Sequence, residues 1–365
     1  MPEFVKGLEL SRLFFEEAVR PVLAAEFPAL RYAAALVSTG SEVLGFDTEM
    51  SADHGWGPRL DLFLREEDYD AAREAVRDAL RRKLPHRFRG YPTSFTEPDA
   101  ADHGVQHLVE RDAGPVTHKV DVMTARGFLL DYLAFDIRDE IEPADWLTFP
   151  EQKLRTVTSG AVFHDGAGLE EVRRRFAYYP RDVWLYMLAA GWARVGQEEH
   201  LMGRAGTAGD EVGSALIGAR LVRDLMRLCF LMERAYAPYP KWFGTAFKQL
   251  SCAAELSPHL AAALAATDWR GRERHLAQCY ERVAVMHNAL GLTRPLPVEP
   301  RDFFGRPFLV IELHGFARGL LALVEDERVR RIAARRPIGG IDQFSDSTDL
   351  VSHAPWRATL RKLYE

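Results

Sequence analysis

A chain of 365 residues that is 47% hydrophobic and 27% charged has the make-up of an ordinary folded protein, roughly two or three domains by length. That composition excludes a disordered chain, a collagenous one and a disulfide-stapled miniprotein, and the net charge of −6 argues against general nucleic-acid binding, which needs a basic face. No apolar run is long enough for a spanning helix, so no membrane partner is expected. The opening MPEFVKGLEL lacks a basic segment followed by an apolar one, and a cytoplasmic location is the expectation. Only seven of the 47 basic residues are Lys. Cys229, Cys252 and Cys279 are widely spaced, lack CxxC spacing and read as small core residues.

Residues 5–26 carry apolar positions at helical spacing, with Pro21 as a kink and Phe27-Pro28 as the end. Residues 32–37 (YAAALV) suit a buried strand that closes in the small turn Ser38-Thr39-Gly40-Ser41. Residues 42–58 read as a loop rich in Gly, Asp and Ser. Residues 59–64 (RLDLFL) alternate as a strand with Leu60, Leu62 and Leu64 on one face, and residues 66–84 form an amphipathic helix. Two further strands are expected at 106–111 and 117–123, separated by Ala113-Gly114-Pro115.

Beyond Trp146 helical periodicity takes over: 169–178, 181–203, 209–236, 240–254, 257–267, 269–291 and 315–336, with breaks at Pro180, Gly206, Pro238, Pro240, Pro258 and the 295–307 region. The expected fold class is α+β: a mixed sheet with flanking helices over residues 1–145, then a helical bundle over 146–365. A ligand cleft is expected where two such domains join.

The order of chemistry-bearing residues is informative. A strand leads into Gly40-Ser41, then come acids in a loop and on the next strand, then a later strand carries the lone acid Asp121. Carboxylates gathered at one end of a sheet suit a pair of Mg²⁺ ions, which activate a hydroxyl and neutralise a triphosphate. A small Gly-Ser turn lets backbone N–H groups approach phosphate.

The stretch GSEVLGFDTEMSADHGWGPRLDLFL (residues 40–64) resembles the signature of the nucleotidyltransferase superfamily, Gly-Ser followed about a dozen residues later by Asp-x-Asp. Asp53 stands where the first metal-binding Asp belongs, and Lys119-Val-Asp-Val122 resembles the strand presenting the third carboxylate, Asp121. The fuller pattern looks like an uncharacterised bacterial family of nucleotidyltransferase-like proteins. ERAYAPYPKWFGTAF (Glu233–Phe247) resembles the segment that follows the catalytic domain in antibiotic-type nucleotidyltransferases.

What the resemblance implies is a Mg²⁺-dependent transfer of a nucleoside monophosphate, AMP from ATP or another nucleoside triphosphate, to a hydroxyl of a small-molecule acceptor, with release of pyrophosphate. Asp53 and Asp121 would be catalytic. Asp53, Asp61 and Asp121 would hold metal, and Gly40, Ser41, Arg59 and Lys241 would hold nucleotide. The chain departs from the pattern at Gly55, where an acid is expected. Asp61, projecting opposite Leu60 and Leu62, or Asp47 from the loop, would supply the missing carboxylate. The alternative is a nucleotide-binding or regulatory protein of the same fold that has lost catalysis.

Blander roles compete at each position. Asp53-His54 suits a loop turn or a cap, Asp61 a solvated strand face, and Asp121 a surface ion pair. His54 is a hydrogen-bonding residue rather than a Mg²⁺ ligand, because Mg²⁺ prefers oxygen. Arg59 would contact phosphate or pair with Asp61. Lys241 would reach triphosphate or lie over Trp242. Tyr236, Tyr239, Trp242, Phe243 and Phe247 read as interdomain core rather than a base-stacking platform, and the Gly203–Gly213 stretch with His200, Arg204, Asp210 and Arg220 as a solvated interhelical loop rather than one that binds acceptor.

Overall fold

The computed structural model describes residues 3–51, 55–102 (Asp102 by its backbone only) and 104–365. The fold is mixed α+β, as expected: a mixed sheet with flanking helices and then a helical C-terminal region. The chain divides into two compact units. One holds Met1–Glu140 with Lys153–Ala177, and the other Ile141–Gln152 with Tyr178–Glu365.

The first unit is built on a four-stranded sheet in the order β7-β2-β1-β8. β1 (Tyr32–Leu36) pairs antiparallel with β2 (Arg59–Leu64), and β2 lies parallel to β7 (Lys119–Thr124), reached through α3 (Glu66–Lys83). Between α3 and β7 lie two short ladders, β3 (Arg87–Phe88) with β4 (Tyr91–Pro92), and β5 (Ser94–Phe95) with β6 (Leu108–Val109). Only Leu108–Val109 of the strand expected at 106–111 is paired. β8 (Ala161–Asp165), which the periodicity did not suggest, pairs antiparallel with the other edge of β1.

Leu60, Leu62, Leu64 and Val120 form one core layer with Leu10 and Phe14 of α1 (Gly7–Phe14) and with Val76 and Leu80 of α3. The opposite face packs Ala33, Ala35 and Phe63 against Met123, Phe128 and Val162. α3 begins with Glu66, Glu67 and Asp68 and ends with Arg81, Arg82 and Lys83, charges that oppose both ends of the helix dipole.

The helix expected over 5–26 is interrupted. After α1 the chain widens into a π turn, Phe15–Val19, in which Arg20 N–H donates to the Phe15 carbonyl, before α2 (Arg20–Glu26) resumes. Pro21 has no N–H to give the carbonyl four residues back, so the preceding turn takes a different bonding pattern. On the other side of β7, α4 (Ala125–Leu133) is capped by Thr124, whose hydroxyl accepts from Gly127 N–H at 2.9 Å. The remaining helices here are α6 (Glu151–Thr158), whose first two residues belong to the second unit, and α7 (Leu169–Arg174).

The second unit also includes α5 (Pro143–Thr148) and is organised around α8 (Arg181–Thr207), α9 (Glu211–Met232) and α12 (Trp269–Ala289). α10 (Pro240–Phe247) and α11 (Ala253–Ala265) join α9 to α12. Gly206, expected as a break, lies one residue before the end of α8, and Asp210 caps α9 by accepting from Gly213 N–H at 2.7 Å. Pro258, also expected as a break, lies inside α11. The hairpin β9 (Arg301–Phe303) and β10 (Arg306–Val310) occupies residues the periodicity left unassigned.

The helix expected over 315–336 is two. α13 (Phe316–Leu321) is separated from α14 (Glu327–Ala333), which Asp326 caps through Arg328 and Val329 N–H. Cys229 and Cys279 are buried, Cys252 is half-buried, and all three are free. Tyr236 and Phe247 are buried in this unit, and Phe243 packs on Phe230 at 5.3 Å. No helix among the described residues is long and apolar enough to cross a membrane.

Candidate functional site

The β2/β7 pair sets the charged corner of the first unit. Because the strands are parallel and in register, Arg59 stands beside Lys119 and Asp61 beside Asp121. Strand alternation puts all four on the face opposite Leu60, Leu62 and Val120. Two carboxylates and two cations therefore share the entrance end of one sheet face.

Each has a different environment. Asp61 is almost fully buried. Its Oδ2 accepts from Val37 N–H at 2.8 Å and Ser38 N–H at 2.9 Å, and its Oδ1 from the Ser38 hydroxyl at 2.9 Å. The carboxylate thus fastens the end of β1, where the chain leaves for Gly40.

Arg59 is also buried. Its Nε donates to Glu42 Oε1 at 2.8 Å, and its Nη2 donates to the Thr39 carbonyl and lies 2.7 Å from Glu42 Oε1. Arg59 is therefore paired with Glu42 rather than with Asp61. Gly40, at φ +143°, lies against this pair: a Cβ there would stand 2.5 Å from Arg59 Nη2 and from Glu42 Oε2. Only glycine fits the turn. Thr39 and Gly40 are exposed and Ser41 is half-buried, its carbonyl accepting from Phe46 N–H at 2.9 Å.

Asp121 is different again, because it reaches solvent and has no close hydrogen-bond partner among the described residues. Crowding by protein on its inner side, and then the negative charge of Asp61, raise its pKa, against the pull of Lys119, Arg59 and Arg77. A carboxylate so placed takes up a proton more readily than an ordinary one.

Asp53 and His54 lie outside the described residues. Asp47 is buried away from solvent, with its Oδ2 accepting from Gly7 N–H at 2.7 Å and its Oδ1 lying 3.4 Å from Lys6 Nζ, so its carboxylate anchors α1. Lys241 lies at the start of α10 in the second unit, exposed, with its ammonium 5.0 Å from the Trp242 ring centroid. Among the described residues no three His, Cys, Asp or Glu side chains converge as a metal site.

Glu42 was missed by the sequence reading. A buried acid 17 residues before Arg59 carries no motif, and only the folded turn brings the two together. Likewise, in the second unit, His200 packs on Phe303 at 4.1 Å and Arg220 pairs with Glu198 at 2.8 Å, so these residues support local packing.

Residues 146–243 match a family model described as a domain of unknown function, DUF4037. A crystal structure described as a nucleotidyltransferase-like protein from Exiguobacterium sibiricum 255-15 is similar at a TM-score of 0.32 and 9% identity, over 76% of this chain and 78% of that one. No curated protein matches.

Proposed function

We propose that the corner formed by Asp61, Asp121 and the Gly40-Ser41 turn is a nucleotide site. In this reading the chain transfers a nucleoside monophosphate, AMP from ATP, to a hydroxyl of a small-molecule acceptor. The observation that carries the reading is the register pairing of Asp121 with Asp61 beside a turn that tolerates no side chain at Gly40. The resemblance of residues 40–64 to the nucleotidyltransferase signature supplies the reaction class.

Asp121 accepts the proton of the acceptor hydroxyl. The acceptor oxygen forms a bond to the α-phosphorus while the bond from that phosphorus to the pyrophosphate oxygen breaks, and its electron pair leaves with pyrophosphate. Gly40 and the Ser41 hydroxyl meet the phosphates. Arg59 shapes the turn through Glu42, and Asp61 fixes its origin.

Magnesium is implied by the resemblance rather than by the donors at hand. Asp61 has three of its lone pairs engaged, which leaves Asp121 and one open position for an ion that wants about six oxygens. Asp53 is the remaining proposed ligand. The described donors alone do not make the site, and no step above runs through the ion.

Pyrophosphate release from ATP, measured over a panel of hydroxyl acceptors, tests the reading. Asp121→Asn is expected to lower turnover by 100-fold or more with an unchanged melting temperature. Undiminished turnover in that variant would remove Asp121 from the mechanism. A specific observation favours the second reading, a nucleotide-binding protein without transfer: Gly55 stands at the position of an expected acid. Saturable ATP binding with no pyrophosphate release over the whole panel would establish it.

A further inference from the structure

Lys119 is one of seven lysines in the chain, and its ammonium is held in an unusual way. It lies 5.4 Å from the Phe95 ring centroid and makes no hydrogen bond among the described residues. The ammonium also lies against Gly55, at φ +69°, whose N–H donates to the Gln106 carbonyl at 2.9 Å. A Cβ built on Gly55 would stand 2.5 Å from Lys119 Nζ. The ammonium thus fills the volume that a side chain at position 55 would need.

The charges around it leave room for another anion. Arg59 is its register neighbour, but that guanidinium is matched by Glu42. Asp121 is two residues along the same strand face and Asp61 is engaged with the end of β1. Burial first, and then the charge of Arg59, hold the Lys119 amine below its ordinary pKa, while Asp121, Glu42 and Asp61 pull it back up. A cation that is partly desolvated and meets no hydrogen-bond acceptor among the described residues gains from an anionic oxygen brought to it.

We infer that Lys119 is the fixed cation of this corner, meeting the phosphate oxygens of the ligand directly from the space left by Gly55. This deepens the nucleotide reading above and rests on it. It gives a chemical account of the departure at position 55, where the resemblance leads one to expect a carboxylate. A carboxylate draws in a metal ion as its positive charge, whereas an ammonium lodged there is itself the charge.

Calorimetry on the full chain separates the possibilities, with inorganic pyrophosphate and a nonhydrolysable ATP analogue as probes, each in EDTA and in Mg²⁺. The wild type is expected to bind both probes in EDTA. Lys119→Met should weaken that binding at least tenfold and Lys119→Arg should recover part of it. Gly55→Ala, whose methyl displaces the ammonium, should weaken it as well. Thermal melts of each variant identify any that fail to fold, and Lys119→Gln then replaces Lys119→Met as the neutral variant.

Equal affinity of the wild type and the folded neutral Lys119 variant for the ATP analogue would overturn the inference and leave the nucleotide reading standing. Lys119-dependent binding of pyrophosphate without binding of the analogue would uphold the anion site and overturn the nucleotide reading. Binding of neither probe would overturn both.

Discussion

Asp61 holds the end of β1 by both of its oxygens, and three donors converge on it from Val37 and Ser38. Asp61→Ala would strand two backbone N–H groups and a hydroxyl in a buried setting, at a cost of about 3 kcal/mol. Asp61→Asn keeps an acceptor for the backbone pair and lets the Ser38 hydroxyl turn to accept, so about 1 kcal/mol is expected. Urea unfolding followed by circular dichroism gives both values, and equal stability of the two variants would contradict this account. The face on which Asp61 lies was legible from the alternation of Leu60, Leu62 and Leu64. That its lone pairs are already engaged was not, because Val37 and Ser38 reach it only through antiparallel pairing across the sheet. Arg59 carries the same lesson: a cation between acids in sequence pairs with whichever the turn delivers, here Glu42.

Among the elements, α8 shows how close approach decides the value of a glycine. A Cβ at Gly206 would stand 2.2 Å from Trp269 Cγ on α12, whereas one at Gly244 in α10 would meet nothing within 4 Å. Gly206→Ala is therefore expected to destabilise by about 1–3 kcal/mol as the helices separate. Gly244→Ala should stabilise by up to about 1 kcal/mol through helix propensity. Denaturation midpoints check both signs, and a stabilised Gly206→Ala would refute the packing argument. The long helices were legible because apolar residues recur at helical spacing over many turns. Gly206 marked its break to within one residue, since α8 ends at Thr207, whereas Pro258 misled, because a helix packed along its length tolerates it. β8 was illegible for a different reason: Ala161–Asp165 is a short edge strand without polar alternation, and its partner β1 is remote in sequence.

At the scale of the whole molecule, the second unit buries acids that set its response to pH. Glu199 accepts from Ile311 N–H at 2.7 Å and from Glu312 N–H at 3.2 Å, and burial pushes its pKa up to about 8. Burial raises Glu312 to about 7, and burial with the charge of Asp342 raises Glu151. A carboxyl whose folded pKa exceeds its unfolded value of 4.5 keeps a proton that the unfolded chain releases, so it disfavours the folded state as pH rises toward the folded value. His287, lowered to about 4 by burial, acts in the opposite sense, but its contribution is complete above pH 6.5. The melting temperature should accordingly fall between pH 6.5 and 8.5. Glu199→Gln, which retains an acceptor for Ile311, should flatten that fall. A melting temperature that rises over this interval would contradict the assignment of these groups.

The place of β8 in the chain has a consequence for biosynthesis. β1 needs neighbours on both edges, yet β2 ends at Leu64 and β8 begins only at Ala161. At ribosomal speed that separation is on the order of 5–20 s. Through this interval the Tyr32–Leu36 edge, whose residues are all buried in the finished fold, offers unpaired amides and alanine methyls to any other strand. The hazard belongs to the order of synthesis rather than to the final structure. A circular permutant that emerges with residues 161–165 ahead of residues 32–36 would fold to the same sheet while closing that window.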